Sequence, residues 1–214
     1  MALQVTGVVD AVAQALRSSI LAGELAPGRP VTEAWVADRF GVARASGKAA
    51  IEKLVAEGVL QRTVHRSARV ASLDEASVRD IYRTRRRIES EALRELAAQR
   101  IVPPVAVAAN DEIARHAGGS SVDIVDPDMR FHIAIVDAIG SERTSRAYEA
   151  LVAEVRLCMS QVQGRSLVSV ETIHTQHRAI LEALEAGAEQ RAVDILREHL
   201  SGAEDRLVGA LAAR

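Results

Sequence analysis

A chain of 214 residues with 48% hydrophobic and 26% charged residues is long enough for one large or two small globular domains, which excludes a disordered protein. The single cysteine, Cys158, excludes an intramolecular disulfide, and the absence of a long apolar run excludes a signal peptide or membrane anchor, so we expect a cytoplasmic protein. Up to Ser72 there are nine basic and six acidic residues, whereas the remainder has 18 and 23, so a basic module of residues 1–72 precedes an acidic module of residues 73–214.

The periodicity of the first module predicts three short helices, at about residues 8–22, 33–40 and 44–57. Thr32 is placed to cap the second helix and Gly41 to end it. Two helices joined by a tight glycine turn are the skeleton of a helix-turn-helix motif. Residues 59–60 and 69–71 follow as two predicted strands around a basic tip, residues 63–67, which is typical of a wing.

The third predicted helix has an inward and an outward face when its residues are plotted at 100° per residue. The inward face carries small and apolar residues: Gly47, Ala50, Ile51 and Leu54. The outward face carries small residues and charged ones: Arg44, Ala45, Lys48, Ala49 and Glu52. Basic residues usually form a solvated surface, but here they coincide with a recognition helix and a wing, so we expect this face to bind DNA.

Three segments, "LRSSILAGELAPG", "VADRFGVARASGKAAIEKLVAEGVL" and "RSARV", resemble the winged-helix domain of the GntR superfamily of bacterial transcription regulators. The resemblance covers residues 8–71 and implies that Arg44, Lys48, Arg66 and Arg69 contact DNA, with Ser46 in the same contact set. Three helix positions depart from the family pattern, since Ser46 replaces Pro, Gly47 replaces Val and Ala49 replaces Glu. Phosphate contacts survive such changes, but the base preference of relatives cannot be transferred.

The second module is predicted to be an all-α bundle of six helices. Their expected ranges are about 72–99, 105–116, 128–140, 142–163, 168–186 and 189–212, with a "GGSS" loop at 118–121. Ser72 in "SLDE" resembles a capping box for the first of these helices. Asp126 and Pro127 are expected at the cap and first turn of the third.

Four polar residues lie on the inward stripes of three helices in this bundle. Asp128 and His132 are four residues apart and share one helix face, while His177 and His199 interrupt the apolar stripes of the last two helices. Each histidine alone is most simply a core residue bonded to a carbonyl. Together they favour a shared metal, because burying several polar groups without partners costs roughly 1–3 kcal/mol each.

The motifs "DMRFH", "HRAIL" and "REHL" resemble the FCD ligand-binding domain, the FadR-type partner of GntR winged helices, in its VanR-like branch. The resemblance spans residues 74–212 and implies that Asp128, His132, His177 and His199 bind a metal, with His174 as a competitor for the third position. It also places Arg85 toward the effector pocket, against the alternative that Arg85 forms a surface ion pair.

The combined expectation is a mostly α-helical, homodimeric transcription regulator that binds a pseudo-palindromic operator and no membrane. We expect a repressor released by a small carboxylate effector at a divalent metal site, with Zn²⁺ preferred and Ni²⁺ or Mn²⁺ as alternatives. A metal-dependent hydrolase is the enzymatic alternative, but no placed base or substrate-orienting motif accompanies the cluster, so we predict that the protein is not an enzyme. A purely structural metal is the other alternative.

Overall fold

The structure is a computed structural model that describes residues 7–63, 66–116, 124–162 and 169–213. Helices and short strands in these ranges run in the order α1 Val8–Leu21, β1 Pro30–Val31, α2 Glu33–Phe40, α3 Arg44–Ala56, β2 Leu60–Gln61, β3 Ala68–Val70, α4 Glu75–Gln99, α5 Pro104–Arg115, α6 Val125–Asp137, α7 Glu142–Gln161, α8 Val170–Ala186 and α9 Glu189–Ala212. The predicted fold class, a winged helix-turn-helix followed by a helical FCD-type domain, is therefore confirmed. None of the helices in these ranges is both long and apolar enough to cross a membrane.

Residue contacts divide the chain into two compact units. One comprises the described residues up to Leu73 together with Arg156–Gln161, and the other comprises the described remainder. The last six residues of α7 belong to the first unit, where the Gln161 side chain donates to the Ala71 carbonyl at 2.7 Å and accepts from the Leu73 amide at 3.4 Å.

The helix-turn-helix forms as its local signals predict. The Thr32 hydroxyl accepts from the Trp35 amide at 3.2 Å and caps α2, and Gly41 ends that helix in the left-handed region with φ 63°. The inward face of α3 is buried as expected. A Cβ on Gly47 would lie 3.3 Å from the Glu33 carbonyl oxygen, so the missing side chain lets α3 pack closely on α2.

The wing contains one strand more than the sequence predicts. β3 lies between β1 and β2, with Pro30 opposite Arg69 and Leu60 opposite Val70 in antiparallel register. β1 escapes prediction because it has two residues, one of them proline, and therefore shows no alternation. Within the predicted tip at 63–67, positions 64 and 65 lie outside the described residues.

Among the described residues of the second module there are six helices, α4 to α9, as predicted, and all but the end of α7 belong to the second unit. The capping assignments at two of them are wrong: α4 is capped by Asp74, which accepts from the Ser77 amide at 2.9 Å, and not by Ser72. α6 begins at Val125, so Asp126 lies inside its first turn and does not cap it, whereas Pro127 lies in the first turn as expected. The predicted loop at 118–121 and the predicted helix ends at 163 and 168 lie outside the described residues.

The buried face of α4 is charged at its centre. The helical period of the sequence predicts an inward stripe of Ile81, Ile88, Ala92 and Leu96 on this helix. Ile88 is only partly buried, whereas Arg85 and Glu89 are each at most 1% exposed. Arg85 Nε donates to Glu89 Oε1 at 2.8 Å, and this pairing allows both charges to occupy the core face. The alternative that Arg85 forms an ion pair on the surface is therefore wrong, although the ion pair itself exists.

Candidate metal centre and nucleic-acid interface

The structure brings the four polar residues of the predicted cluster together. α6 carries Asp128 and His132 one turn apart, and α8 and α9 contribute His177 and His199. All four are buried, with at most 6% of any of them exposed. One ligand atom from each lies within 4.8 Å of the others, close to ~4.4 Å, the largest separation of two donors bound to one ion at ~2.2 Å.

Two of the histidines, His132 and His199, are each oriented by a hydrogen bond at Nδ1, and their Nε2 atoms face each other. His132 Nδ1 lies 2.7 Å from Glu89 Oε2, and His199 Nδ1 lies 2.9 Å from the Gln176 side-chain oxygen. Since both oxygens are acceptors, each Nδ1 carries the proton and each Nε2 presents a lone pair. The two Nε2 atoms are 3.3 Å apart, an arrangement that a cation between them stabilises.

The remaining two donors have no hydrogen-bond partner among the described residues. His177 Nε2 and Asp128 Oδ1 lie 3.4 Å apart without hydrogen-bonding geometry, and His177 Nδ1 is also unsatisfied. Instead, the His177 ring stacks on Phe131 with centroids 3.7 Å apart. Unsatisfied buried polar atoms are costly, and a metal ion would satisfy both Asp128 and His177. Three imidazoles and one carboxylate therefore fit a divalent metal such as Zn²⁺, Ni²⁺ or Mn²⁺.

Burial sets the protonation preferences of the cluster. It lowers the pKa of His177 and of His199 well below the ordinary histidine range, and the neighbouring imidazoles lower both further. Burial also raises the pKa of Asp128, against the opposing effect of His132. The two histidines are thus held neutral, which is the form that binds metal.

These shifts predict that the metal-free protein loses stability on acidification. A histidine whose pKa is lower in the folded state binds fewer protons there, so the free energy of unfolding falls as the pH drops below the unfolded value of ~6.5. The expected slope reaches ~1.4 kcal/mol per pH unit for each of His177 and His199. The raised pKa of Asp128 has the opposite sign and acts at lower pH. Urea unfolding with chelator between pH 8 and pH 5 measures the slope, and a flat profile would contradict it.

Arg85, predicted to face the effector, belongs to a buried network that adjoins the metal donor His132 through Glu89. Its Nε bonds to Glu89 Oε1, which also accepts from the Tyr148 hydroxyl at 2.6 Å, while Arg85 Nη2 has no partner among the described residues. Burial alone would raise the pKa of Glu89, but His132 and Arg85 outweigh it and lower that pKa to about 2.

Three residues that support the metal donors directly or through a neighbour were not predicted: Glu89, Gln176 and Tyr148. Only Glu89 has a local signal, since it lies four residues after Arg85 on the same helix. His174, the competitor, lies outside the cluster and its Nδ1 is 3.3 Å from the Asn110 carbonyl oxygen.

The residues predicted to contact DNA lie in the first unit. Arg44 and Lys48 are exposed on α3, and Ser46 between them is partly buried. Arg44 and the exposed wing residue Arg66 line one open groove of about 550 Å³ beside the start of α2. Arg62, which was not predicted, lines the same groove and pairs with Glu52. Arg69 is exposed but donates to the Gly28 carbonyl at 2.8 Å, so it also braces the wing.

Comparison with known proteins assigns both parts of the chain. The family described as "Bacterial regulatory proteins, gntR family" matches residues 8–70, and the FCD domain family matches residues 80–202. The chain belongs to the GntR family and carries a C-terminal FCD domain. Members are DNA-binding transcription regulators and not enzymes, which sets aside the metal-dependent hydrolase.

Relatives and solved structures agree with this membership. The chain is 27% identical over 198 residues to the "Probable D-xylose utilization operon transcriptional repressor" of Paenarthrobacter nicotinovorans, covering 92% of this chain and 87% of that one. It is also 27% identical over 196 residues to the repressor GlaR of Escherichia coli K12, covering 86% and 89%.

Two solved structures share the GntR and FCD folds. A GntR regulator of Rhodococcus sp. RHA1 superposes with a TM-score of 0.79 at 21% identity, covering 94% of this chain and 97% of that one. The Zn²⁺-bound FCD domain of TM0439 superposes with a TM-score of 0.56 at 22% identity, covering 67% of this chain and all of that one.

Proposed function

We propose that this GntR regulator is a homodimeric repressor that leaves a pseudo-palindromic operator when a small carboxylate effector binds at its metal site. The observation that carries the proposal is the buried cluster of Asp128 and three histidines within an FCD domain that follows a winged helix. Two relatives bear the names of repressors, and the FCD domain of TM0439 is Zn²⁺-bound. The site of action is the cytoplasm, where the operator DNA lies.

In this proposal Asp128, His132, His177 and His199 hold the metal, with Zn²⁺ preferred over Ni²⁺ or Mn²⁺. A bound divalent ion supplies positive charge and open positions to which a carboxylate oxygen can bind. Arg85 Nη2, buried and without a partner among the described residues, is the proposed second donor to that carboxylate. A set of small carboxylic acids screened by thermal shift on Zn²⁺-loaded protein tests the effector class, and a purely structural metal would give no shift with any of them.

The DNA-binding role predicts a large loss of operator affinity when the recognition helix loses its charges. An operator is obtained by in vitro selection of random duplexes with the full chain. The Kd of Arg44→Ala with Lys48→Ala is expected to rise at least ~10-fold, since each specific contact contributes about 1–3 kcal/mol. Fluorescence anisotropy at several salt concentrations measures this effect, and the double variant should show a shallower salt dependence.

The matched control is Arg143→Ala with Arg178→Ala, which removes the same net charge from two exposed residues of the second unit. This control should bind the selected duplex as the parent does. If the variant that lacks Arg44 and Lys48 binds the duplex as tightly as the parent does, α3 is not the DNA-binding helix. If selection enriches no duplex at all, the proposed operator binding is wrong.

A further inference from the structure

Glu89 is a buried carboxylate in the second unit that lies beside the metal cluster without belonging to it. It is 0% exposed, and the potential ligand set comprises only Asp128 and the three histidines among the described residues. Its Oε2 lies 2.7 Å from His132 Nδ1. Its Oε1 accepts from Arg85 Nε at 2.8 Å and from the Tyr148 hydroxyl at 2.6 Å. Both oxygens are thus occupied by hydrogen bonds, so neither is free to bind the metal.

Because Arg85 and Tyr148 both donate to Glu89, its carboxylate can act on His132 only as a hydrogen-bond acceptor. Arg85 is always protonated, and the bonds from Arg85 and Tyr148 hold Oε1 as an acceptor and restrict the rotation of the carboxylate. Oε2 must then accept from the Nδ1–H of His132, which leaves the Nε2 lone pair on the side of the other donors. A hydrogen bond from a histidine to a charged carboxylate is stronger than one to a neutral acceptor.

The other two histidines are held by weaker means. His199 Nδ1 is bound by the neutral amide of Gln176, and the His177 ring is placed by stacking on Phe131. Among the three imidazoles, His132 is therefore the one whose tautomer and ring orientation are set by a charge.

We propose that Glu89 is the positioning residue of the metal site, holding His132 in its Nδ1–H tautomer so that Nε2 is ready to bind the ion. The inference rests on the proposed metal site and adds to it a residue that binds no metal itself. Outer partners of ligating histidines raise the basicity of the ligand and commonly change metal affinity 10–100-fold. Arg85 and Tyr148 influence metal binding only by fixing the Glu89 carboxylate. The buried Arg85–Glu89 pair on α4 thereby orients the metal ligand His132 on α6.

The first test is the Zn²⁺ affinity of the full chain, stripped of metal and titrated in competition with a chelating dye. Glu89→Gln is expected to weaken binding about 10–100-fold. In a His132→Ala background the same substitution should have no further effect, because Glu89 acts through His132 alone. Additive effects of the two substitutions would overturn the proposal.

The matched control is Glu204→Gln, which changes another mostly buried glutamate that accepts from Arg79 and Arg86. This variant should bind Zn²⁺ as the parent does. An equal loss of affinity in Glu204→Gln and Glu89→Gln would show a general effect of losing a buried carboxylate and would overturn the positioning role.

The second test needs no variant and so remains decisive if Glu89→Gln does not fold. Histidine ¹⁵N NMR of the metal-free parent at alkaline pH should show the neutral His132 ring protonated at Nδ1 and unprotonated at Nε2. A proton on Nε2 would overturn the proposal. A parent that binds no Zn²⁺ refutes the proposed metal site, whereas Zn²⁺ binding that ignores Glu89→Gln refutes only the positioning role.

Discussion

The metal-free full chain should melt ~5–10 °C below the same chain held at a free metal concentration of one hundred times Kd. At that concentration a ligand of the folded state adds ~2.7 kcal/mol, and 1 kcal/mol shifts the melting of a chain of this size by ~2–4 °C. The physical reason is that Asp128 Oδ1 and both His177 nitrogens are buried without partners among the described residues. Protein purified without a His-tag is first analysed for its elements and then melted with and without chelator.

His177→Ala should abolish the stabilisation by Zn²⁺, because it removes one of four donors. His174→Ala is the control, since His174 lies on the same helix but outside the cluster, and it should respond to Zn²⁺ as the parent does. The metal assignment is wrong if the parent contains no stoichiometric metal and its melting ignores both chelator and added Zn²⁺, Ni²⁺ or Mn²⁺. The four residues would then be ordinary buried side chains.

Arg85→Met should destabilise the metal-free protein by ~3–5 kcal/mol, because it leaves the Glu89 carboxylate buried without its charged partner. Arg85 and Glu89 are both at most 1% exposed, so water cannot replace the lost interaction. Urea unfolding of the metal-free parent and variant measures the free energy difference. Adding Glu89→Gln to Arg85→Met should recover part of the loss, which a double-mutant cycle detects.

The control for this prediction is Arg146→Met, which breaks an exposed pair with Glu142 at the same four-residue spacing. An exposed pair of this kind contributes at most ~0.5 kcal/mol, so the variant should unfold nearly as the parent does. If Arg85→Met costs no more than Arg146→Met, the buried pair does not stabilise the bundle, and Glu89 is held by other contacts.

Local signals in the sequence were sufficient for the helix-turn-helix and for the number of helices. Thr32, Gly41 and the buried face of α3 follow from interactions within three or four residues along the chain. The same local rule places Asp128 and His132 on one face of a helix, and the apolar stripes of α8 and α9 carry His177 and His199. Residue type and spacing therefore predicted four polar residues that the structure brings together, and the family resemblance favoured His177 over its competitor His174.

Helix ends were less predictable because competing caps stand close together. Ser72 and Asp74 both have a side chain that can accept a hydrogen bond from the first turn, and Asp74 is the residue that caps α4. Asp126 is also a good cap by type, yet α6 extends one residue beyond it toward the N-terminus. Such choices differ by small free energies, so tertiary contacts decide them.

By itself, the sequence determined which residues share a helix face and which residue types the core contains, because both follow from the helical period. Only the tertiary structure decided which side chains form hydrogen bonds with the metal donors His132 and His199. Glu89 lies 43 positions before His132 and 59 before Tyr148, and Gln176 lies 23 before His199. No periodic pattern links positions so far apart on different helices. Their contacts arise from the way the helices pack. The same packing buries the charged pair Arg85 and Glu89 of α4, although the helical period predicts Ile88 on the buried face.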